Sequence, residues 1–159
     1  MITLSPLRWG KPYKSLEHQD VIHFETGEAI AKIGQVNGGM LQMDLRKADQ
    51  ARAALKRLST EALLQKVAKA AELFESATLP VGDGQQSVDD FIHQQSASTG
   101  LPEHMCRNNM RKNAFVLHNM PQILDCLTRG LDLEIFSRGY GEEGRGVTVS
   151  FQCQSPVLG

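Results

Sequence analysis

The sequence lacks both an excess of charge and any long apolar run. Its 17 basic residues stand against 18 acidic ones, which leaves a formal net charge of -1 at pH 7. Such a balance creates no long-range field that would attract nucleic acid or an anionic lipid surface. No stretch approaches the roughly 18 consecutive apolar residues that a membrane-spanning helix needs. We therefore expect neither a nucleic-acid partner nor a membrane span.

Cysteine is also scarce. The chain has three cysteines, which lie far apart at Cys106, Cys126 and Cys153. An odd number at wide spacing fits neither a disulfide framework nor a Cys-x-x-Cys metal site. The first 16 residues mix charged residues with proline and glycine, and they contain no apolar stretch long enough for a signal peptide. These features favour a reducing compartment, and we expect the protein in the cytoplasm.

What is present is an ordinary globular composition, with 41% hydrophobic and 22% charged residues over 159 positions. We expect one partial domain of the α/β class, a mixed α+β fragment with an N-terminal β-hairpin, four or five helices and a C-terminal β-hairpin. The predicted parts are an N-terminal extension over 1–20, a hairpin over 21–37, a helical region over 44–128 and a hairpin suited to oligomerisation over 131–153. Ser155–Gly159 carries no polar tail, which favours a piece of a longer protein.

Strand signals come first along the chain. Val21–Glu25 and Ala29–Val36 carry β-forming residues on either side of a turn-compatible Thr-Gly pair, and they predict a hairpin. Helical spacing of apolar residues then predicts a helix over Asp44–Leu58, with its first residue as the N-cap. Ser59 offers a second cap, and the apolar stripe over Glu61–Ser76 predicts the clearest helix of the chain.

A break and a new helix follow. One proline and two glycines predict a loop over Thr78–Gln86. Ser87 and Asp90 then have the spacing of a capping box, in which the serine and the acidic side chain each bond the other's backbone N–H. This motif predicts a helix over Val88–Ser98.

The last helical stretch, Glu103–Leu127, contains Pro121, which should kink or split it because proline has no N–H and clashes with the preceding turn. Gly130 follows as a C′ residue. The positions spaced for burial are Met110, Ala114, Leu117, Met120, Leu124 and Leu127. Beyond them, Leu131–Phe136 and Val147–Gln152 alternate apolar with polar residues and predict two strands.

The segment Gly139–Gly144 spells a literal Gly-x-Gly-x-x-Gly pattern. A dinucleotide fingerprint needs a helix after its last glycine, because the N-terminus of that helix holds the pyrophosphate. Here a predicted strand follows, and Glu142 and Glu143 would place negative charge where the phosphates should sit. We therefore interpret the segment as the loop of the C-terminal hairpin rather than as a cofactor site.

Side chains that can ligate zinc are His104 and Cys106, with His93 and His118 farther away. Their spacing matches no standard site, so we expect structural residues and no metal. Cys153 is the residue to test as a covalent nucleophile, but nothing near it in sequence supplies a base or an electropositive environment. We interpret it as a cysteine in a strand, and a hydrolase that pairs Cys153 with His118 is the weakest hypothesis.

A basic cluster of Arg107, Arg111 and Lys112 lies on the predicted helix that also carries His104 and Cys106. It could contact an anion or a partner subunit, although an ordinary solvated face explains it better. We assign no catalytic, cofactor-binding or metal-binding residue in this chain.

An ordered series of motifs resembles the N-terminal half of the aldehyde dehydrogenase superfamily over nearly the whole chain. The first, Thr26–Ala31, reads TGEAIA and looks like the TGExIA hairpin of that family. The later motifs are similar to the two helices after the hairpin, to a short helix end and to the strand that leads into the catalytic half: Ala51–Leu55, Ala70–Phe74, Gln95–Pro102 and Gly144–Val149. The residue directly before Pro102 is Leu101 rather than a lysine, and the Gly139–Gly146 loop is glycine-rich. Both departures from the family pattern point to a divergent branch.

The resemblance implies NAD(P)-dependent oxidation of a small aldehyde to an acid or thioester through a cysteine thiohemiacetal, in an oligomeric enzyme. NAD or NADP would serve the complete enzyme, and we expect neither to bind this chain alone. The family's catalytic motifs have no counterpart here, and the nearest string to its asparagine loop, Gln152–Pro156, has no asparagine. The expected partners are the remainder of the enzyme or copies of this chain. The alternative is a non-enzymatic module that binds a protein partner.

Overall fold

A computed structural model describes residues 1–134, 140–141 and 148–149. Within these ranges the protein is mixed α+β, which confirms the expected fold class. The strands are β1 (Ile2–Leu4), β2 (Leu7–Arg8), β3 (Lys11–Pro12), β4 (His18–Ile22), β5 (Ala29–Gly34), β6 (Leu79–Val81), β7 (Gly84–Gln86), β8 (Tyr140–Gly141) and β9 (Thr148–Val149). The helices are α1 (Gly38–Leu45), α2 (Ala48–Leu55), α3 (Thr60–Ser76), α4 (Val88–Thr99), α5 (Glu103–His118) and α6 (Met120–Thr128).

The largest sheet has three strands in the order β1-β5-β4. β4 and β5 pair antiparallel, which confirms the predicted hairpin, although its first strand begins at His18 and ends at Ile22. β1 pairs parallel with β5, so Thr3 lies beside Lys32. We predict from the sequence that residues 1–20 form an extension, whereas in the structure β1 of this segment is an edge strand of the sheet. Because β5 lies almost thirty residues from β1 along the chain, their parallel pairing leaves no local pattern in the sequence.

The predicted helix over Asp44–Leu58 is wrong at its start. α1 begins earlier, and the side chain of Asn37 caps it by accepting a 2.9 Å hydrogen bond from the backbone N–H of Met40. Asp44 lies in the last turn of α1, and a separate helix, α2, begins at Ala48. The break raises the number of helices to six, where four or five were expected.

The other helix boundaries confirm the local signals. Ser59 caps α3, and Ser87 and Asp90 form both bonds of a capping box at the start of α4. α5 ends where α6 begins, around Asn119, and Pro121 lies in the first turn of α6, where its missing N–H costs nothing. Leu127 is 75% exposed, so the prediction that it is buried is wrong.

The segment between α3 and α4 is a tight hairpin rather than the predicted loop. β6 and β7 pair antiparallel around Gly82 and Asp83. Gly82 has φ +58°, and a Cβ built on it would lie 2.1 Å from the carbonyl oxygen of Thr3. Only glycine allows this approach, which holds the hairpin tip against β1.

The core lies where α3, α4 and α5 meet. Ile92, Cys106 and Met110 form its buried centre. Phe74 on α3 and Phe91 on α4 pack beside them edge to face, with ring centroids 5.6 Å apart. Ala71 and Ala114 are fully buried, and their small side chains allow α3 and α5 to approach closely.

The C-terminal part is described only in places. Leu133 and Glu134 lie in a turn, so the prediction of a strand over 131–136 is wrong at its described residues. β8 and β9 pair antiparallel, with Tyr140 beside Val149, inside the predicted hairpin over 131–153. No helix in the described part of the chain has the length and apolar character needed to cross a membrane.

Candidate assembly surface

Of the side chains that could ligate a metal, His93 and His118 contact carboxylates and Cys106 is buried, whereas His104 is exposed near the start of α5. His93 Nδ1 lies 3.0 Å from Glu103 Oε1, and His118 Nε2 lies 2.9 Å from Glu75 Oε2. Cys106 is fully buried in the helical core. Among the residues that the structure describes, no group of three or more His, Cys, Asp and Glu side chains could hold a metal ion.

The basic cluster of α5 is partly neutralised by acidic neighbours. Arg107 donates a 2.8 Å hydrogen bond to Asp89, which ties α5 to α4. Arg107 and Arg111 line a small cavity of about 180 Å³, and Glu75 stands at the same cavity. The Arg107–Asp89 ion pair is exposed and contributes little to stability. The cavity thus places one carboxylate, that of Glu75, beside two guanidinium groups.

Most of the glycine-rich pattern Gly139–Gly144 lies outside the described residues. At the centre of the pattern, Tyr140 and Gly141 form β8, and the next described segment is β9 rather than a helix. The placement of Cys153 lies outside the described residues.

A polar cluster at the N-terminus fixes the β2–β3 turn on α1. Asp44 accepts hydrogen bonds from Arg8 Nε at 2.7 Å, Arg8 Nη2 at 2.9 Å and Trp9 Nε1 at 3.1 Å. The bonds from Arg8 are the main reason that the pKa of Asp44 lies below its ordinary value of 3.8. Lys47 covers the Trp9 ring at 5.8 Å from its centroid. Trp9 has φ +55°, an unusual backbone conformation for a bulky residue.

Exposed apolar side chains are the most prominent feature of the surface. Among the described residues, 21 large hydrophobic side chains are exposed, whereas six hydrophobic residues are buried. Exposed apolar side chains that lie together on one face can form an interaction site, whereas scattered ones are ordinary on protein surfaces. We define the α5 outer face as Met105, Phe115 and Val116, which are 48%, 66% and 39% exposed and lie opposite the buried Cys106, Met110 and Ala114.

A second feature is an apolar pocket of about 300 Å³ between the three-stranded sheet and α4. We call it the Gln95 pocket. Its walls come from β1, β4, β5, β6 and α4, and its main lining residues are Ile2, Leu4, Ile30, Val81, Phe91 and Gln95. The side-chain oxygen of Gln95 is buried and has no hydrogen-bond partner among the described residues.

The sequence predictions missed both Asp44 as a tertiary acceptor and the Gln95 pocket. A signal for the second exists in the sequence, because Gln95 follows Phe91 and Ile92 at helical spacing and so interrupts an apolar stripe with an amide. No such local signal marks Asp44, whose partners Arg8 and Trp9 lie 36 and 35 residues away.

Comparison of this chain with family models, with curated proteins and with solved structures finds no match.

Proposed function

We propose that this chain is the assembly and support segment of an oxidoreductase that resembles an aldehyde dehydrogenase, and that it does not oxidise aldehydes alone. The observation that carries the proposal is that 21 large hydrophobic side chains are exposed among the described residues, the α5 outer face included. A segment that covers, and is covered by, the rest of an enzyme would present such a surface before assembly.

The arrangement of the elements supports this role. The TGEAIA motif, Thr26–Ala31, which carries the resemblance, lies across the turn of the β4–β5 hairpin and the first half of β5. The α5 outer face lies on the opposite side of the helix from the core and is exposed, with Asn108 and Lys112 between Met105 and Phe115. NAD or NADP and the small aldehyde would bind the complete enzyme, whose remainder, or further copies of this chain, would be the partner in the cytoplasm.

The thiols of the described residues fit a supporting role better than catalysis. Cys106 is fully buried, and its sulfur lies 3.7 Å from the carbonyl oxygen of Leu101. Cys126 is exposed on α6, outside the core. A dehydrogenase nucleophile needs a base or an electropositive environment beside its thiol.

The test has an enzymatic arm. The encoding transcript is sequenced beyond Gly159, and aldehyde-dependent reduction of NAD and NADP is assayed for this chain and for the complete product. We expect no turnover by the chain alone and turnover by a product that contains a catalytic cysteine and glutamate. A stop codon directly after Gly159, or turnover by the chain itself, would contradict the proposal.

A physical arm tests the surface directly. We expect the isolated chain to bind a hydrophobic dye such as anilinonaphthalene sulfonate and to self-associate in sedimentation. Phe115→Ser with Val116→Ser should reduce both effects, because these residues are 66% and 39% exposed on one face. Leu16→Ser is the matched control, since Leu16 is 98% exposed but lies away from that helix.

The alternative function is an independent module that binds a protein partner without turnover. The observation in its favour is the self-contained packing of α3, α4 and α5 around Ile92, Cys106 and Met110. A module predicts a monomer or a defined oligomer that melts cooperatively and binds little dye. That result in the physical arm would favour the module over the enzyme segment.

A further inference from the structure

The balanced net charge of the chain hides a segregation of charge along it. Residues 7–16 and 38–58, which form the β2–β3 turn, α1, α2 and the residues next to them, carry eight basic and two acidic residues, a formal charge of +6. The other residues carry nine basic and sixteen acidic ones, a formal charge of -7. One of the two carboxylates, that of Asp44, is already paired with Arg8. The β2–β3 turn and the two helices therefore have a local positive field that the net charge does not reveal.

The same two helices expose apolar side chains. Neither α1 nor α2 contains a buried residue. Leu41, Leu45 and Leu55 are 55%, 46% and 56% exposed. Leu41 and Leu45 lie four residues apart, so they share one face of α1. Helices of eight residues are marginal in water unless an apolar face packs against something. A surface that covered these leucines would therefore stabilise both helices.

Trp9 lies beside the leucines of α1. Its indole N–H bonds to Asp44, which follows Leu41 by three residues and is therefore its neighbour on the helix surface. The Trp9 side chain is 47% exposed, and the ammonium group of Lys47 lies 5.8 Å from the centroid of its ring. Tryptophan is enriched at membrane–water interfaces, where its ring meets apolar groups while its N–H keeps a polar partner.

The basic apolar surface is the name we give to Trp9, the three exposed leucines of α1 and α2, and the exposed basic residues Arg46, Lys47, Lys56 and Arg57. Nucleic acid would pair with the cations but would leave the leucines in water. A bilayer with anionic headgroups accommodates both, because its phosphates attract the basic side chains while the apolar side chains enter the boundary of the acyl chains.

From this arrangement we propose that the basic apolar surface binds the surface of a membrane that contains anionic phospholipids, without crossing it. Leu41, Leu45 and Leu55 enter the boundary between headgroups and acyl chains, and the basic side chains contact the anionic headgroups. This binding goes beyond the proposed dehydrogenase role, because it needs neither NAD(P) nor the remainder of the enzyme.

The test uses Trp9, the single tryptophan of the chain, as its reporter. The unmodified chain is titrated with vesicles of phosphatidylcholine alone and with vesicles that also contain phosphatidylserine. With the anionic vesicles we expect emission at shorter wavelength, quenching by brominated acyl chains, and binding that is tighter by about tenfold or more. Added salt should weaken this binding.

Three results would overturn the proposal. The first is no binding to the anionic vesicles, and the second is equal binding to both kinds of vesicle. The third is the same emission shift with soluble poly-glutamate as with anionic vesicles, which would indicate an acidic protein partner instead.

One variant pair tests the apolar contribution. Leu41→Ser with Leu45→Ser should weaken binding to the anionic vesicles by about tenfold or more, because the apolar area that enters the bilayer is lost. The matched control is Leu127→Ser with Leu131→Ser, at positions that are 75% and 43% exposed outside these helices. Equal losses in the two variants would contradict a role of α1.

A second pair tests the charge. Lys56→Gln with Arg57→Gln should weaken the binding by about tenfold or more. Lys66→Gln with Lys69→Gln removes the same charge from exposed positions of α3 and should leave the binding nearly unchanged. A similar loss in both variants would show that only net charge matters, and it would refute a defined surface. If a variant does not fold, judged by circular dichroism, the comparison of the two kinds of vesicle on the unmodified chain still decides the proposal. No readout involves aldehyde oxidation, so failure here leaves the proposed function untouched.

Discussion

Arg8 and Asp44 form a two-point ion pair, with Nε to Oδ2 at 2.7 Å and Nη2 to Oδ1 at 2.9 Å. The planar guanidinium matches the carboxylate, which makes this pair more specific than a single contact. Trp9 adds a third bond to the same carboxylate. The pair therefore docks the β2–β3 turn on the last turn of α1, and it places the single tryptophan of the chain beside a titratable group.

The first prediction follows from the lowered pKa of Asp44. A carboxyl group whose pKa is lower in the folded state stabilises the fold above its unfolded value, and this contribution is lost as pH falls through the folded value. We expect Trp9 fluorescence to stay constant down to about pH 3.8, the ordinary value, and to shift to longer wavelength below it. Asp44→Asn should shift the emission already at pH 7, whereas Asp20→Asn on exposed β4 should not. An acid transition that begins well above pH 3.8 would contradict the role of Arg8.

The second prediction concerns Gly82. Alanine there would adopt a left-handed backbone, at a cost of about 1–2 kcal/mol, and its Cβ would lie 2.1 Å from Thr3 O. We expect Gly82→Ala to lower the free energy of unfolding by more than that backbone cost, measured by urea denaturation. Gly84→Ala is the control, because the added Cβ would meet only Val81 O, 3.9 Å away. Equal effects of the two substitutions would refute the close approach.

The third prediction compares two methionines of α5. Met110 is 4% exposed in the core and Met105 is 48% exposed on the outer face. Met110→Ala should leave a cavity and lower the free energy of unfolding by about 2–5 kcal/mol. Met105→Ala should change it by no more than about 0.5 kcal/mol. A similar loss for both variants would mean that the helix does not have the orientation described above.

The fourth prediction concerns thiol reactivity in a Cys153→Ser background. Cys126 is exposed and Cys106 is fully buried. We expect an aromatic disulfide reagent to modify Cys126 in the native protein and Cys106 only after denaturant is added, with mass spectrometry of peptides as the measurement. Rapid modification of Cys106 under native conditions would show that the core around Ile92 opens readily.

The sequence by itself determined the features that depend on neighbouring residues. Ser87 and Asp90 satisfy each other's backbone N–H across one helical turn, so their spacing alone fixed the start of α4. Pro121 ended one helix and began another for an equally local reason. The β-forming residues on either side of Thr26-Gly27 were enough to predict the β4–β5 hairpin, although not the bounds of its first strand.

Only the tertiary structure decided the features that join distant parts of the chain. Asp44 has the chemistry of an N-cap, yet it lies inside α1, which Asn37 caps, and its carboxylate forms a two-point ion pair with Arg8 that no local pattern reveals. β1 finds its partner only when the folded chain brings β5 beside it. The apolar pocket beside Gln95 exists only because the folded chain places the three-stranded sheet against α4. Residue type sets what each group can do, and the packing of distant elements sets which partner it meets.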